Sequence, residues 1–556
     1  MRAITAIVLF FLNIININAQ TLEWITSGAG DYIYSNNDIG YSVVSNNDFV
    51  YISGYVAGNN VKIQDTTILH GNFSFIAKYD KTGDLKWLKE VDGEEVTPVI
   101  LNSKGEVYTT CIKWDLEIHL LKYDENGEML RDITINFINR ITSINVDNHD
   151  NLLLTGQYSN IDSIIIQDSI IYNLSPNGTN SFIMKLNAHD NFEWFKTTNI
   201  TTNFGGHVVF NDIETDSNGD IIVIGDYALY EENTNLKFGE FYLNTVSNPA
   251  YGQHFFHHRN TILAKLDSKG IVLWAKKFGG YRDDYGNRIA VNNLNEIFIV
   301  GNFTDSISFN SFNLTTLGVD IYLSKVSTTG SIEWANKLGS NSGNSTHEAG
   351  RTVSVDENYV FVGGMYDGRY FYFESTNYED TVITVASNIR AGFLAKYSLD
   401  GNFIDVYNLK TEIIQNVETA KIEDINISND KIYVTGNFYP PSTFFNTTMP
   451  LKYNNTNHFF LASLNKNSET HITKIPNYNI ALYPNPSNEY VDIYLENVKC
   501  TSCFINIYDI QGNLQKSKRV EMNNPRIDIS NLDSGIYIIK ISDNEILLKI
   551  EKLLVE

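Results

Sequence analysis

Apolar and polar residues alternate with period two in short runs along most of the chain, and polar turns separate the runs. That spacing predicts β-strands joined by hairpins. The pattern is clearest at Ile262–Gly280, ILAKLDSKGIVLWAKKFGG, where an apolar run, a turn ending in Gly270 and a second run holding Trp274 form one hairpin. It is rewritten as FIAKYDKTGDLKWLKEV from Phe75, FIMKLNAHDNFEWFKTT from Phe182 and YLSKVSTTGSIEWANKL from Tyr322. Weaker copies start at Ile118 and Phe393, and a truncated one, FFLASLNKN, at Phe459.

A second pair of strands precedes each hairpin. EIFIVGNF at Glu296 recurs as FVYISGYV at Phe49, EVYTTCIKW at Glu106, NLLLTGQY at Asn151, DIIVIGDY at Asp220, YVFVGGMY at Tyr359 and KIYVTGNF at Lys431. One column of these copies holds Gly54, Gly156, Gly225, Gly301, Gly364 and Gly436, with Cys111 in the second copy. Glycine inside a strand marks close approach of another backbone. Four strands repeated seven times predict an all-β, seven-bladed β-propeller over residues 20–467. The last copy lacks its Trp strand, and TLEWITSGAG from Thr21 is a Trp strand without a partner. The N-terminal strand is therefore expected to complete the seventh blade and close the ring, leaving no exposed seam.

Trp24, Trp87, Trp194, Trp274 and Trp334 occupy one repeat position, with Arg131 and Asp405 in the remaining copies. Packing between blades is the expected role. Full burial of each ring would be worth roughly 4–6 kcal/mol as an upper estimate. Strand direction puts the short turns at one end of the propeller and the longer connections at the other. Six copies carry an excursion on that second end, such as VKIQDTTIL at Val61 and SIIIQDSII at Ser163, and the second copy has none. Long loops on a rigid scaffold make this the expected ligand face.

Net charge is −24. Residues 471–556 hold 9 Lys/Arg against 11 Asp/Glu, a balance of −2, so the acidity lies upstream. Such a surface repels phosphate backbones, and no nucleic-acid partner is expected. Arg2, the apolar run Ile4–Leu12 and the small Ala19 before Gln20 read as a signal peptide over residues 1–19, cleaved between Ala19 and Gln20. No later run is long enough for a transmembrane segment. Cys111 reads as a buried thiol, and Cys500 and Cys503 as a local surface disulfide that closes a small loop.

Two constellations on the expected ligand face carry chemistry. His254, His257 and His258 crowd the largest excursion, and Asp283 and Asp284 stand at the next crossing between blades. They could converge on a metal or a sugar hydroxyl, but capping of turns through backbone N–H groups is the expected role of the two aspartates. No metal, cofactor or catalytic residue is assigned. None of the G-x-S-x-G, H-E-x-x-H, P-loop or G-x-G-x-x-G motifs is present.

Gly279–Phe309 resembles the SBBP repeats of secreted bacterial β-propellers, with Gly279, Gly280, Asp283, Gly286, Gly301 and Phe303 at the signature positions. After a linker at 468–477, residues 478–556 resemble the type A C-terminal sorting domain of the type IX secretion system. The resemblance rests on ALYPNPS (Tyr483, Pro484, Asn485, Pro486), INIYDIQGNL (Gly512), IDISNLDSGIYIIKI (Gly535, Tyr537) and the terminal LLKIEKLLV (Lys549). Its period-two runs predict a small antiparallel β-sandwich. The resemblance implies a Gram-negative host, the type IX machinery as partner, and a secreted or outer-membrane surface-attached product. The expected function is a non-catalytic binding module for a glycan or protein. The alternatives are a surface polysaccharide hydrolase or lyase using carboxylates at the propeller mouth, and a structural component of the cell surface.

Overall fold

The computed structural model describes the chain from Leu22 to Val555, except residues 32–37, 173–177, 201–204, 245–257, 340–347, 377–380, 385–389, 412–419, 467–478, 497–502, 510–513 and 521–525 and a number of shorter stretches. All of its regular structure is β. The chain divides into compact units at residues 20–468 and 469–556.

The larger region is a β-propeller arrangement of four-stranded antiparallel meanders, numbered 1 to 7 in chain order. Unit 5 is the type example: Asp284–Val291, Ile297–Ser308, Asn313–Val326 and Ile332–Gly339 pair in sequence. The first strands are innermost: Ile39–Ser45, Ile100–Leu101, Arg140–Val146, Gly206–Thr215, Asp284–Val291, Ala349–Val355 and Ala420–Ser428 each lie beside the next, and the last returns to the first. Unit 7 takes its fourth strand from the other end of the chain. Leu22–Gly30 pairs antiparallel with His458–Asn465, from Leu22↔Leu464 to Gly28↔Phe459.

Seven separate sheets are not what forms. The region holds six sheets of four or more strands, because the parallel pair Thr179↔His207 joins units 3 and 4 into one eight-stranded sheet.

The glycine column has a steric cause. Every first strand except that of unit 2 carries a bulge, for example between Gly286 and Arg288, which pushes a carbonyl at the second strand. A Cβ on Gly301 would lie 2.0 Å from the Tyr285 carbonyl oxygen, and one on Gly225 1.7 Å from that of Val209. In unit 2 the first strand is only Ile100–Leu101, and no bulge faces Cys111. The side chain fits there.

The excursions join neighbouring units. Each is a short hairpin that docks on, or just past, the fourth strand of the preceding unit. Val61–Ile63 pairs with Gly28–Gly30, Ile165–Ile166 with Ile135–Asn136, Tyr372–Phe373 with Leu338–Gly339, and Ser442–Phe444 with Leu409–Thr411. Leu236–Lys237 pairs with Asn199–Ile200, and Ser308 bridges Gly279. Their inward residues, among them Val61, Ile63, Ile164, Ile166, Phe371 and Phe373, are at most 1% exposed. Burying two such side chains stabilises a clasp by about 3–6 kcal/mol. Unit 2 has no excursion, so the sheet of unit 1 keeps four strands.

The tryptophans form a second set of joins. Trp24, Trp87, Trp274 and Trp334 donate their indole N–H to Lys81, Glu125, Thr328 and Leu399 carbonyls, in the third-to-fourth turn of the following unit, at 2.8–3.1 Å. Each ring lies over the turn glycine, whose positive φ (+79° to +88°) leaves its open side to the indole. Only Trp334 is buried (8%) and the others are half-buried, so the area estimate made for full burial is too large for them. Where Arg131 replaces Trp, Asp190 replaces the glycine. Arg131 donates to the His189 carbonyl at 2.8 Å and lies 3.8 Å from Asp190.

The smaller region has two antiparallel sheets. One contains Asn479–Tyr483, Tyr490–Glu496 and Arg526–Asp528, and the other Leu514–Val520, Cys503–Tyr508, Gly535–Asp543 and Ile546–Val555. Val491, Ile493, Ile505, Ile507, Ile527, Ile539 and Leu553 from both sheets share one buried cluster.

Candidate functional site

Of the ligand-face residues singled out in the sequence, His258 lies just before the third strand of the fourth unit, and Asp283 and Asp284 stand at the start of the fifth. His254 and His257 lie outside the described residues, as do Ala19, Gln20, Pro484, Gly512, Cys500 and the linker. His258 is half-buried, with Nδ1 3.8 Å from Asp283 Oδ1, and the same oxygen accepts the Arg259 backbone N–H at 2.9 Å. Arg259 donates to the buried Asp226 carboxylate at 2.6 Å and lies over the Tyr285 ring at 5.4 Å. Burial outweighs that pairing and holds Asp226 above the usual carboxylate range. Burial, with the Arg259 charge adding to it, pulls His207 down to about 4, so this imidazole is neutral at pH 7.

Asp284 does not join the cluster as a ligand. It is fully buried, and its Oδ2 accepts the Gly280 N–H at 2.7 Å, just past the end of the fourth strand of unit 4. Burial pushes it up to about 8, against the pull of the Gly280 and Thr304 amides. Asp38 holds the repeat-equivalent position in unit 1. It accepts from Gly30 at 2.8 Å and Ala57 at 2.7 Å, and burial pushes it up to about 7. Both carboxyls tie the preceding unit to their own through backbone amides, the capping role expected of Asp284.

Around the axis, side chains at the first-strand bulges form a polar girdle. Thr142 donates to the Phe210 carbonyl, Asn211 to that of Gly286 and Asn287 to that of Gly350. Arg351 reaches Glu423 at 3.2 Å. Asp212 accepts Ser143 Oγ at 2.8 Å and the Ile289 N–H at 2.9 Å, bridging units 3, 4 and 5. Asp424 accepts Thr352 Oγ1 at 3.2 Å and the Val43 N–H at 2.9 Å, bridging units 6, 7 and 1. Glu214 lies within electrostatic reach of both aspartates and accepts from Asn145 at 2.8 Å. Burial first, then the charge of Asp212, raises Glu214 well above an ordinary glutamate. Among the described residues, no group of three or more His, Cys, Asp or Glu side chains is arranged to hold a metal ion.

The sequence reading passed over one repeated lysine. Lys78, Lys122, Lys185, Lys265, Lys325 and Lys396, the third-strand lysines of the hairpin motif, are all buried (3–8% exposed). Lys265 Nζ sits 2.8 Å from Asp216 and 3.0 Å from Asp220 in the first turn of its unit. Burial alone would depress its pKa, and the two carboxylates more than reverse that. Lys185 pairs Asp147 at 3.0 Å, Lys325 pairs Glu296 at 2.7 Å and Lys122 pairs Glu106 at 2.8 Å. In units 1 and 6 the lysine lies over an aromatic ring, Lys78 over Phe49 and Lys396 over Tyr359, both at 3.7 Å. The motif's constant lysine was the available signal.

In the C-terminal region the Tyr483–Pro486 motif pins the last strand. Asn485 Oδ1 accepts the Leu554 N–H at 2.9 Å, and Ser487 donates its N–H to the Leu554 carbonyl at 3.0 Å. Tyr537, two residues into the strand that Gly535 opens, donates to the Asp533 carbonyl at 2.9 Å, and Lys549 lies on Ile546–Val555.

No curated protein matches the chain. Among solved structures it is similar to the Dos1 propeller (8% identity, 79% of this chain and 95% of that one, TM-score 0.37). It is also similar to a protein of unknown function from Bacteroides caccae (10%, 63% and 94%, TM-score 0.32) and to the acylaminoacyl peptidase of Pyrococcus horikoshii (10%, 85% and 60%, TM-score 0.37). Residues 481–556, the region whose last strand Asn485 pins, match the family model of the secretion system C-terminal sorting domain.

Proposed function

We propose that the chain is cargo of a Gram-negative type IX secretion system, in which residues 478–556, folded as a β-sandwich, export a seven-bladed propeller that acts outside the cell as a binding module. The observation that carries export is the match of residues 481–556 to the sorting-domain family, which implies interaction with the type IX machinery and delivery to the cell surface or outer side. No helix among the described residues is long and apolar enough to cross a membrane. Residues 1–19 act as the signal peptide, and residues 20–467, with their SBBP-like repeat, form the propeller. The eight-stranded sheet is read as two blades, because a single residue pair joins its halves while each half repeats the four-strand meander.

The girdle uses the channel-facing polar groups to join blades, and the excursions are clasps. That leaves the rim of units 4 and 5, with His258, Arg259, Asp283 and Tyr285, as the place for a glycan or protein ligand. Glycan-array binding by the secreted protein, reduced in Asp283→Ala and without release of reducing ends, is the expected result. Removal of residues 481–556 should abolish delivery outside the cell. The hydrolase reading has one observation behind it: Asp212, Glu214 and Asp424 share the channel, and Glu214 is raised enough to hold a proton. Release of reducing ends that is lost in Glu214→Gln would establish it and overturn the binding module.

A further inference from the structure

Three kinds of join hold consecutive units together: the clasp hairpin, the axial aspartates, and the fourth-strand residue seated on the next turn. Among the described residues, the boundary between units 1 and 2 shows only the third, with the exposed Lys89–Glu128 ion pair at 3.0 Å beside it. Trp87 and Lys78 both donate to the Glu125 carbonyl there, at 3.0 and 2.7 Å. Among the described residues, unit 2 sends no hairpin back to Leu85–Val91, and it lies in neither set of units that Asp212 and Asp424 bridge. Its first strand forms two residue pairs, Ile100↔Tyr108 and Leu101↔Val107, where unit 5 forms seven. Val96 and Val99, 5% and 3% exposed, pack into the apolar cluster at this seam but bring no strand pairing with them.

We infer that the seam between units 1 and 2 is the gate of the ring, the one join that opens while the other six stay closed. Fewer backbone pairs and no axial bridge at one boundary give it a lower opening free energy than the global one, the condition for a sub-global unfolding unit. Opening uncovers the apolar face that holds Tyr51, Val91 and Leu121. The gate rests on the closed-ring reading, and the tests separate the two.

Cys111 reports on this seam. It is 1% exposed, with Sγ 3.8 Å from the Asp92 carbonyl at the end of unit 1. Burial pushes its thiol up to about 12, so it reacts when the seam opens and not in place. The full chain carrying Cys500→Ser and Cys503→Ser has Cys111 as its single thiol. The control adds Cys111→Ala and Ala395→Cys, a third-strand position of unit 6 that is 0% exposed. Labelling by an aromatic disulfide under native conditions should modify Cys111 at least ~10-fold faster than the control thiol, about 1.4 kcal/mol in opening free energy. Equal or slower labelling of Cys111 overturns the gate. Hydrogen exchange of Leu22–Gly30 in the same protein reads the ring: rapid exchange there breaks the closed-ring reading, and protection there with an inert Cys111 breaks the gate alone.

Discussion

The join between units 7 and 1 is made from the two ends of the propeller chain, whereas that between units 1 and 2 is covalently continuous. The first is the more heavily bonded. Leu22–Gly30 pairs with His458–Asn465 on one edge and with Val61–Ile63 on the other. Trp24 sits on the turn of unit 1, Asp424 holds the Val43 N–H, and Tyr453 donates to the Asn60 carbonyl at 2.9 Å. Unit 2, tied to its neighbour by the chain itself, keeps a shortened inner strand and sends back no clasp. Peptide connection limits how far two blades can separate but contributes no pairing and no burial. A seam without it must be closed by contacts alone, and here they are denser than at the covalently continuous seam.

The largest effect tests that inversion directly. Deletion of residues 22–30 exposes the edge of His458–Asn465 and leaves Val61–Ile63 without its partner, so loss of a monomeric folded propeller is expected, read by size-exclusion elution and far-ultraviolet circular dichroism. Retention of a native, monomeric propeller would break the comparison.

Next comes a buried pair inside a unit. Lys265→Met leaves Asp216 and Asp220 without their cation and should cost about 3–5 kcal/mol in urea unfolding. The effect belongs to unit 4 and should leave Cys111 labelling unchanged.

Acidity should act on both carboxyls that tie units through backbone amides. Asp38 and Asp284 sit above their ordinary 3.8, at about 7 and about 8. Between about pH 4 and 8 the unfolded chain has released protons that the folded chain keeps, so stability falls as pH rises through that window. Asp284→Asn removes one of these groups. The stability difference between pH 5 and pH 8 should shrink by on the order of 3 kcal/mol relative to the parent chain, read by urea midpoints at the two values.

Trp24→Ala and Trp87→Ala compare the two seams with one chemistry. Both rings are half-buried, so each should cost about 2 kcal/mol, below the value for a fully buried aromatic. The Trp87 variant should also speed Cys111 labelling, and the Trp24 variant should not. The smallest effect is expected at the seam of units 2 and 3, where Arg131→Ala removes a long ion pair, its cation exposed and its buried acid still paired with Lys122, worth less than about 1 kcal/mol by thermal unfolding.

The candidate site was legible in part. Asp283 and His258 stand close together as the crossing suggested, but Asp284, next in sequence to Asp283, is turned inward onto the Gly280 amide. Asp226, the residue that anchors Arg259, lies 33 positions upstream in an otherwise apolar strand, and no local spacing marks it.

Period two, the glycine column and the Trp strand determined, from sequence alone, where the strands lie, how they group in fours and which segment pairs with the final repeat. These depend on neighbours within one hairpin or on a repeated steric demand, and both leave a local mark. The tertiary structure decided what the excursions do, which aspartates bridge three units, and which lysine meets which acid. Those outcomes join residues from 16 apart, as in Lys122 and Glu106, to 381 apart, as in Val43 and Asp424. A carboxylate is written identically whether it faces water or accepts a distant amide, and only packing of one sheet against the next separates the two.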